Sequence, residues 1–253
     1  MTHTIDLNAD LGEGLAFDHP LLELVSSANI SCGAHAGSPQ DIQQAIRRAI
    51  ENGVSIGAHP SYPDPEHWGR RSLSLSAAQL RATMMSQLQW LETQVRELGG
   101  QLQHIKPHGA LYNDAARDAQ LAGRIAACVR SFDPSLILVG LAGGQLLNAG
   151  ERAGLRVAAE AFVDRRYQAD GSLVPRTHPL ALIESEEEAL NQALALANHL
   201  PVTAVDGSLL SIKADTLCIH GDSDHALQFA RAVKAALLAQ GISVRSLTCN
   251  QLA

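Results

Sequence analysis

Residues 103–113 read QHIKPHGALYN and set His104, Lys106, Pro107, His108 and Gly109 around one turn. An imidazole takes up or releases a proton near neutral pH, and an ammonium holds an anion. Similar groupings recur along the chain. Asn8, Asp10 and Glu13 follow one apolar run, and Cys32, Gly33 and His35 follow another. His59, Pro60 and Tyr62 close a third. Glu160, Asp164, Arg165 and Arg166 close a later one, and His220, Gly221 and Asp222 close the last. Glycine permits close backbone approach and proline fixes φ, so together they hold an imidazole in one place.

Asp10, His35 and His59 form a set able to bind a divalent ion and leave a position open for water. No HExxH helix motif is present, so the spacing alone does not select metal. Without metal, the same groups make an acid–base set in which Asp10 or Glu13 steers an imidazole. Lys106 and the arginines can hold a carboxylate or phosphate. Each residue also has a plainer reading. Asp6 and Asp10 suit turns, Lys106 suits solvent, and the pairs Arg70–Arg71 and Arg165–Arg166 suit an ordinary surface. The acids at 184–188 suit a helix N-terminus. VGLAGGQLL, at 139–147, reads as a tight strand-to-helix turn rather than a nucleotide loop, and no GxxxxGK[ST] is present. The functional reading rests on convergence, because the groups close several different strands.

The elements that must position them are legible. Strand-like runs occur at 4–10, 26–32, 54–59, 102–108, 136–142, 156–164 and 216–222, and helical patterns alternate with them. Ser38, with Pro39 after it, caps one helix that ends before Gly53. Ser76 caps another, with Gln79 at the capping-box position and Gly99 beyond its end. Further helical patterns cover 114–131, 143–153, 185–199 and 223–240. Asp206-Gly207 predicts a two-residue hairpin turn, and 242–248 a last strand. Strand–helix alternation implies parallel strands. Seven repeats predict a closed or nearly closed β/α barrel, with a doubly wound open sheet as the competing form. In either, the strand C-termini share one face, where sites are built.

The totals bound the rest. The chain has 253 residues, of which 46% are hydrophobic, enough for one large core and a single domain over 1–253. A net charge of −7 without a basic stripe argues against nucleic acid as a partner. No run is long and apolar enough to span a membrane, and no signal peptide is expected. Cys32, Cys128, Cys218 and Cys249 form no CxxC pair, which fits a reducing cytoplasm.

Eight ordered segments then resemble the LamB/YcsF family. They are DLNADLGEG, SANISCGAHAGS, IGAHPSYPD, GRRSL, KPHGALYN, EAFVDRRY, GSLVPR and CIHGD. Two positions depart from the family's usual pattern: Ser38 stands where Asp is usual, and His67-Trp68-Gly69 stands where Gly-Phe-Gly is usual. The resemblance implies a seven-stranded parallel β/α barrel of the glycoside hydrolase/deacetylase type. It implies the A component of an ATP-dependent 5-oxoprolinase that opens 5-oxoproline to glutamate with partner subunits B and C. ATP is then the cofactor, bound here or by one of those partners, and self-association is open. In that reaction Asp10, Glu13, His35 and His59 position or activate water, with or without a divalent metal. Lys106, with Arg70 or Arg166, holds an anion, and His108, His220 and Asp222 complete the acid–base set. Asn8 and Tyr62 contact substrate. Two alternatives stand beside this: a metal-dependent deacetylase or amidohydrolase that needs no ATP, and a non-catalytic lactam-binding protein.

Overall fold

The computed structural model describes residues 3–219 and 226–247. The elements run β1 (Thr4–Leu11), α1 (Asp18–Leu21), β2 (Ser27–Ser31), α2 (Pro39–Glu51) and β3 (Ser55–His59). A 3-10 turn (Pro65–His67), α3 (Ala77–Glu97), β4 (Leu102–Ile105), α4 (Gly109–Arg117) and α5 (Ala119–Phe132) follow. Then come β5 (Ile137–Leu141), α6 (Gln145–Arg152), β6 (Arg156–Phe162), α7 (Glu186–Ala197), β7 (Val202–Thr203) and β8 (Leu209–Leu210). The last are β9 (Thr216–Ile219), α8 (Ala226–Ala239) and β10 (Ser243–Val244).

Strands β1 to β6 pair in sequence, β6 pairs with β9, and β9 returns to β1, every pair parallel. The result is a closed seven-stranded barrel, not an open sheet. Closure leaves no bare edge among these strands. The two-residue β10 adds to the start of β1.

Side chains alternate along each strand, and the two faces differ sharply. On β1, Leu7, Ala9 and Leu11 face the helices as part of the main apolar core. Asp6, Asn8 and Asp10 face the barrel interior, where they meet side chains of β2, β4 and β9. Ser27, Asn29, His59, His104, Thr216 and Cys218 extend this polar lining, and all are buried. A small apolar cluster of Ile137, Val139 and Ala158 covers the β5–β6 side.

A hydrogen-bonded series ties the polar lining together. Ser26, Ser27 and Thr216 hydroxyls donate to the Asp6 carboxylate. Asn8 Nδ2 donates to Thr216 Oγ1, and Asn29 Nδ2 donates to Asn8 Oδ1 and Asp10 Oδ1. His104 Nε2 donates to Asn29 Oδ1 at 2.8 Å. Gly57 makes room for that ring, since a Cβ there would collide with His104. Asp6 is therefore an interior residue of β1 and not a turn acid.

The helix boundaries follow local chemistry. Ser38 with Asp41, and Ser76 with Gln79, form complete capping boxes on α2 and α3. Ser38 thus supplies the cap that the sequence predicts. The helical pattern expected at 114–131 begins earlier, at Gly109, and is split. Asp118 accepts from Gln120 N and Leu121 N, ending α4 and starting α5. Asp206-Gly207 lies in the β7–β8 hairpin, but the loop is wider than the expected two residues. Ala204 N donates to Ser208 O, and Gly207 takes φ +88° as the extra residue of a bulge.

Candidate active site

The strand ends meet at one mouth, around a cavity of about 330 Å³. Asp10, Glu13, His59, Arg70, Lys106 and His108 line it.

Backbone carbonyls fix two imidazole tautomers. A carbonyl only accepts, so His59 Nδ1 donates to Lys106 O at 2.8 Å and His108 Nε2 donates to Trp68 O at 2.9 Å. Each neutral ring then keeps its lone pair on the opposite nitrogen. Those two nitrogens, His59 Nε2 and His108 Nδ1, face each other at 2.9 Å. Asp10 Oδ2 lies 3.3 Å from His59 Nε2, and Glu13 Oε1 lies 3.6 Å from His108 Nδ1. Lone pairs repel, so this geometry calls for a shared proton or a cation between the rings.

The local backbone is shaped for this contact. Trp68 takes φ +55°, which is uncommon for a bulky side chain. This places its carbonyl on His108. Gly109 takes φ +55° at the start of α4, and a Cβ there would stand 2.6 Å from Gly69 O.

His35 sits behind His108, the rings stacked at 3.8 Å between centroids. Its Nε2 donates to Glu13 Oε1 at 3.0 Å, and its Nδ1 lies 3.1 Å from Ser61 Oγ. Burial, with the charges of His59 and His35, holds His108 well below the usual imidazole range. Burial likewise lowers His35, and Glu13 only partly offsets it. Both rings are therefore neutral bases at pH 7.

Lys106 is 2% exposed and is no solvated lysine. Its Nζ stands 2.9 Å from Asp10 Oδ1 and 2.8 Å from Glu160 Oε1. Burial pushes its pKa down, but Asp10, Cys218 and Glu160 outweigh that and raise it well above the usual lysine value. Its charge is thus already matched by two carboxylates. Burial, followed by the Glu160 charge, keeps the Tyr112 phenol protonated beside it.

The atoms available to a metal group differently from the expected trio. Oxygen and nitrogen atoms of Asp10, His59 and His108 lie within 4.8 Å of one another, and Glu13, His35 and His108 form a second such set. The first set fits a divalent cation well. It offers a carboxylate and two imidazoles whose other N–H groups are anchored on carbonyls, the usual support of metal-bound histidine. His35 falls in the second set instead of beside Asp10 and His59.

The remaining expected residues scatter. Asn8 lies beneath the cavity within the interior hydrogen-bond series. Tyr62 is buried off the cavity and donates its hydroxyl to Asp114 Oδ2, while Asp114 itself lines the wall. Arg166 turns outward and pairs with Glu188. His220 and Asp222 lie outside the described residues, as does Cys249. Sequence reasoning passed over Arg165 for its neighbour Arg166, yet Arg165 is buried and lines the cavity. It named Glu160 and His104 among the polar groups but gave neither a role, and it did not single out Asn29. Strand alternation could have found all three, since each shares the inward parity of a flagged residue on its own strand or terminus.

A closed seven-stranded parallel β/α barrel with a buried acid–imidazole centre at its mouth defines the class. Within that class, the chain belongs to the LamB/YcsF family, which residues 5–251 match. It is similar to the crystal structure of a lactam utilization protein from Thermus thermophilus, at 42% identity and a TM-score of 0.89. That match covers 96% of this chain and 100% of the other. At 15% identity and a TM-score of 0.61 it shares its fold with a candidate cellobiose-phosphate cleavage protein from Enterococcus faecalis, over 99% of both chains. A family 4 carbohydrate esterase from Streptomyces lividans shares the fold at 12% identity and a TM-score of 0.51, over 98% of this chain and 95% of that one. Among the described residues, no helix is long and apolar enough to cross a membrane.

Proposed function

We propose that this chain is the A component of an ATP-dependent 5-oxoprolinase, opening 5-oxoproline to glutamate together with subunits B and C. Family membership and the Thermus relative described as a lactam utilization protein support a lactam substrate. The observation that carries the reading is the convergence of His59 Nε2, His108 Nδ1 and Asp10 Oδ2 on one point of a small cavity.

The lactam is a resonance-stabilised amide and needs activation. Transfer of the ATP γ-phosphoryl group to the lactam oxygen releases ADP and makes the ring carbon electrophilic. Water adds to that carbon while the His59–His108 pair takes its proton. The ring C–N bond then breaks, and the amine takes a proton delivered through His35 and Glu13. A second water cleaves the acyl phosphate, giving glutamate and phosphate. Lys106 pairs with Asp10 and puts positive charge near the oxygen that gains electrons. A divalent cation held by Asp10, His59 and His108 would take up the two imidazole lone pairs and make bound water more acidic, leaving Glu13 to accept the proton.

The Asp10–His59–His108 set also favours a second reading, a metal-dependent amidohydrolase that needs no ATP. One assay separates them: glutamate release from 5-oxoproline, with and without ATP, by the chain alone and with subunits B and C. Release only with ATP and partners is expected, and Asp10→Ala and His59→Ala should abolish it while far-UV circular dichroism stays unchanged. Release without ATP that a chelator stops would replace the first reading with the second. Near-normal turnover in both variants would remove the assigned roles.

A further inference from the structure

Between β6 and α7 the chain folds back on itself over residues 163–185. Isolated bridges join Arg165 to Leu182 and Tyr167 to Leu173. The outer turn of this flap, including Val174 and Arg176, lines the cavity. Arg165 stands at its root and is 5% exposed.

Arg165 Nε donates to Ala181 O at 3.3 Å and Nη2 to Val174 O at 2.6 Å. Its Nη1 bonds nothing among the described residues. A strut between the flap and β6 explains the two carbonyl bonds, but it does not explain a charge. Burying a guanidinium is costly unless an anion matches it. Among the described residues no carboxylate is bonded to this one. A second guanidinium is its neighbour: burial, followed by the charge of Arg176, pushes Arg165 down to about 10, and the Asp164 charge offsets this only in part. An anion in the cavity beside Arg165 would match this buried charge. Of the basic groups considered for this role, Lys106 pairs with Asp10 and Glu160, and Arg166 with Glu188.

We propose that Arg165, backed by Arg176 on the flap, seats a compact oxyanion in the cavity, either the substrate carboxylate or a phosphoryl group. The seat shares the cavity of the acid–imidazole centre but uses none of its residues. Naming the substrate carboxylate and choosing lactam probes rest on the proposed function. The planar fork of Arg165 suits two-point contact with either anion.

The test is calorimetric binding of 5-oxoproline, 2-pyrrolidinone and inorganic phosphate to the full chain. It compares wild type with Arg165→Gln and Arg176→Ala, each checked for folding by circular dichroism. 2-Pyrrolidinone keeps the lactam ring and lacks the carboxylate. If the carboxylate is the anion, 5-oxoproline affinity falls about tenfold or more in Arg165→Gln and less in Arg176→Ala, while 2-pyrrolidinone binding is unchanged. If phosphoryl is the anion, phosphate binding falls instead. Phosphate binding that depends on Arg165, with no lactam bound, would keep the seat and remove the lactam reading. Should Arg165→Gln loosen the flap, the exposed Arg176→Ala carries the comparison. Wild-type affinity for both anions in Arg176→Ala and in a folded Arg165→Gln overturns the proposal, and so does a wild-type chain that binds neither anion.

Discussion

Lys106 does two separable jobs. Its carbonyl fixes the His59 tautomer, while its ammonium stands between Asp10 and Glu160. A Lys106→Met substitution keeps the first and removes the second. Two carboxylates are then left facing each other in a buried site, and removing one partner of such a pairing costs about 3–5 kcal/mol. The urea midpoint of the variant should fall accordingly at pH 7, and a wild-type midpoint would refute the pairing. At this scale the sequence was partly legible. Residues beside Gly or Pro at strand ends announced themselves, as His59 and His108 did. Glu160 was flagged without a role, and Asn29 was not flagged, because a single polar residue inside an apolar run looks like noise until its partner strand is known. The choice between Arg165 and Arg166 turned on which side the chain faces after β6, which no local pattern encodes.

The elements were more legible than the contacts between them. All seven barrel strands stand where the apolar runs predict, because burial against helices demands a regular outward face. The caps at Ser38 and Ser76 were readable because a capping box is purely local. The break at Asp118 was not, since the apolar spacing runs on through it and only the acid's side chain diverts the backbone. Capping offers a clean check on this level. Ser76→Ala removes the bond from Gln79 N and should cost about 1 kcal/mol in urea unfolding. Ligand affinity should stay unchanged, because Ser76 does not line the cavity. A loss of affinity at constant stability would mean that α3 reports to the site in some other way.

For the whole molecule, the polar barrel interior sets the response to acid. Burial, then Lys106, pushes His104 down to about 3. Below pH ~6.5 the unfolded chain takes up a proton that folded His104 refuses, so stability falls until about pH 3. Asp6 acts with the opposite sign. Burial raises it to about 6 despite three hydroxyl donors, so between 3.8 and about 6 the folded state holds the extra proton. Across that window the two slopes oppose one another. Asp6→Asn removes the counterweight, and its stability should drop more steeply than wild type from pH 6 to 4, by up to about 1.4 kcal/mol per pH unit. Parallel curves would show that Asp6 does not bind its proton there.

The same interior constrains how the protein can change over generations. Thr216, Asn8, Asn29 and His104 pass donors and acceptors along one series, and each group's partner is another side chain of the barrel. An apolar replacement at one link strands the next, while an exchange at two linked positions can restore the match. Substitutions inside this barrel should therefore accumulate as compensated pairs. The outward face, bound only by volume and shape, is free to drift one residue at a time.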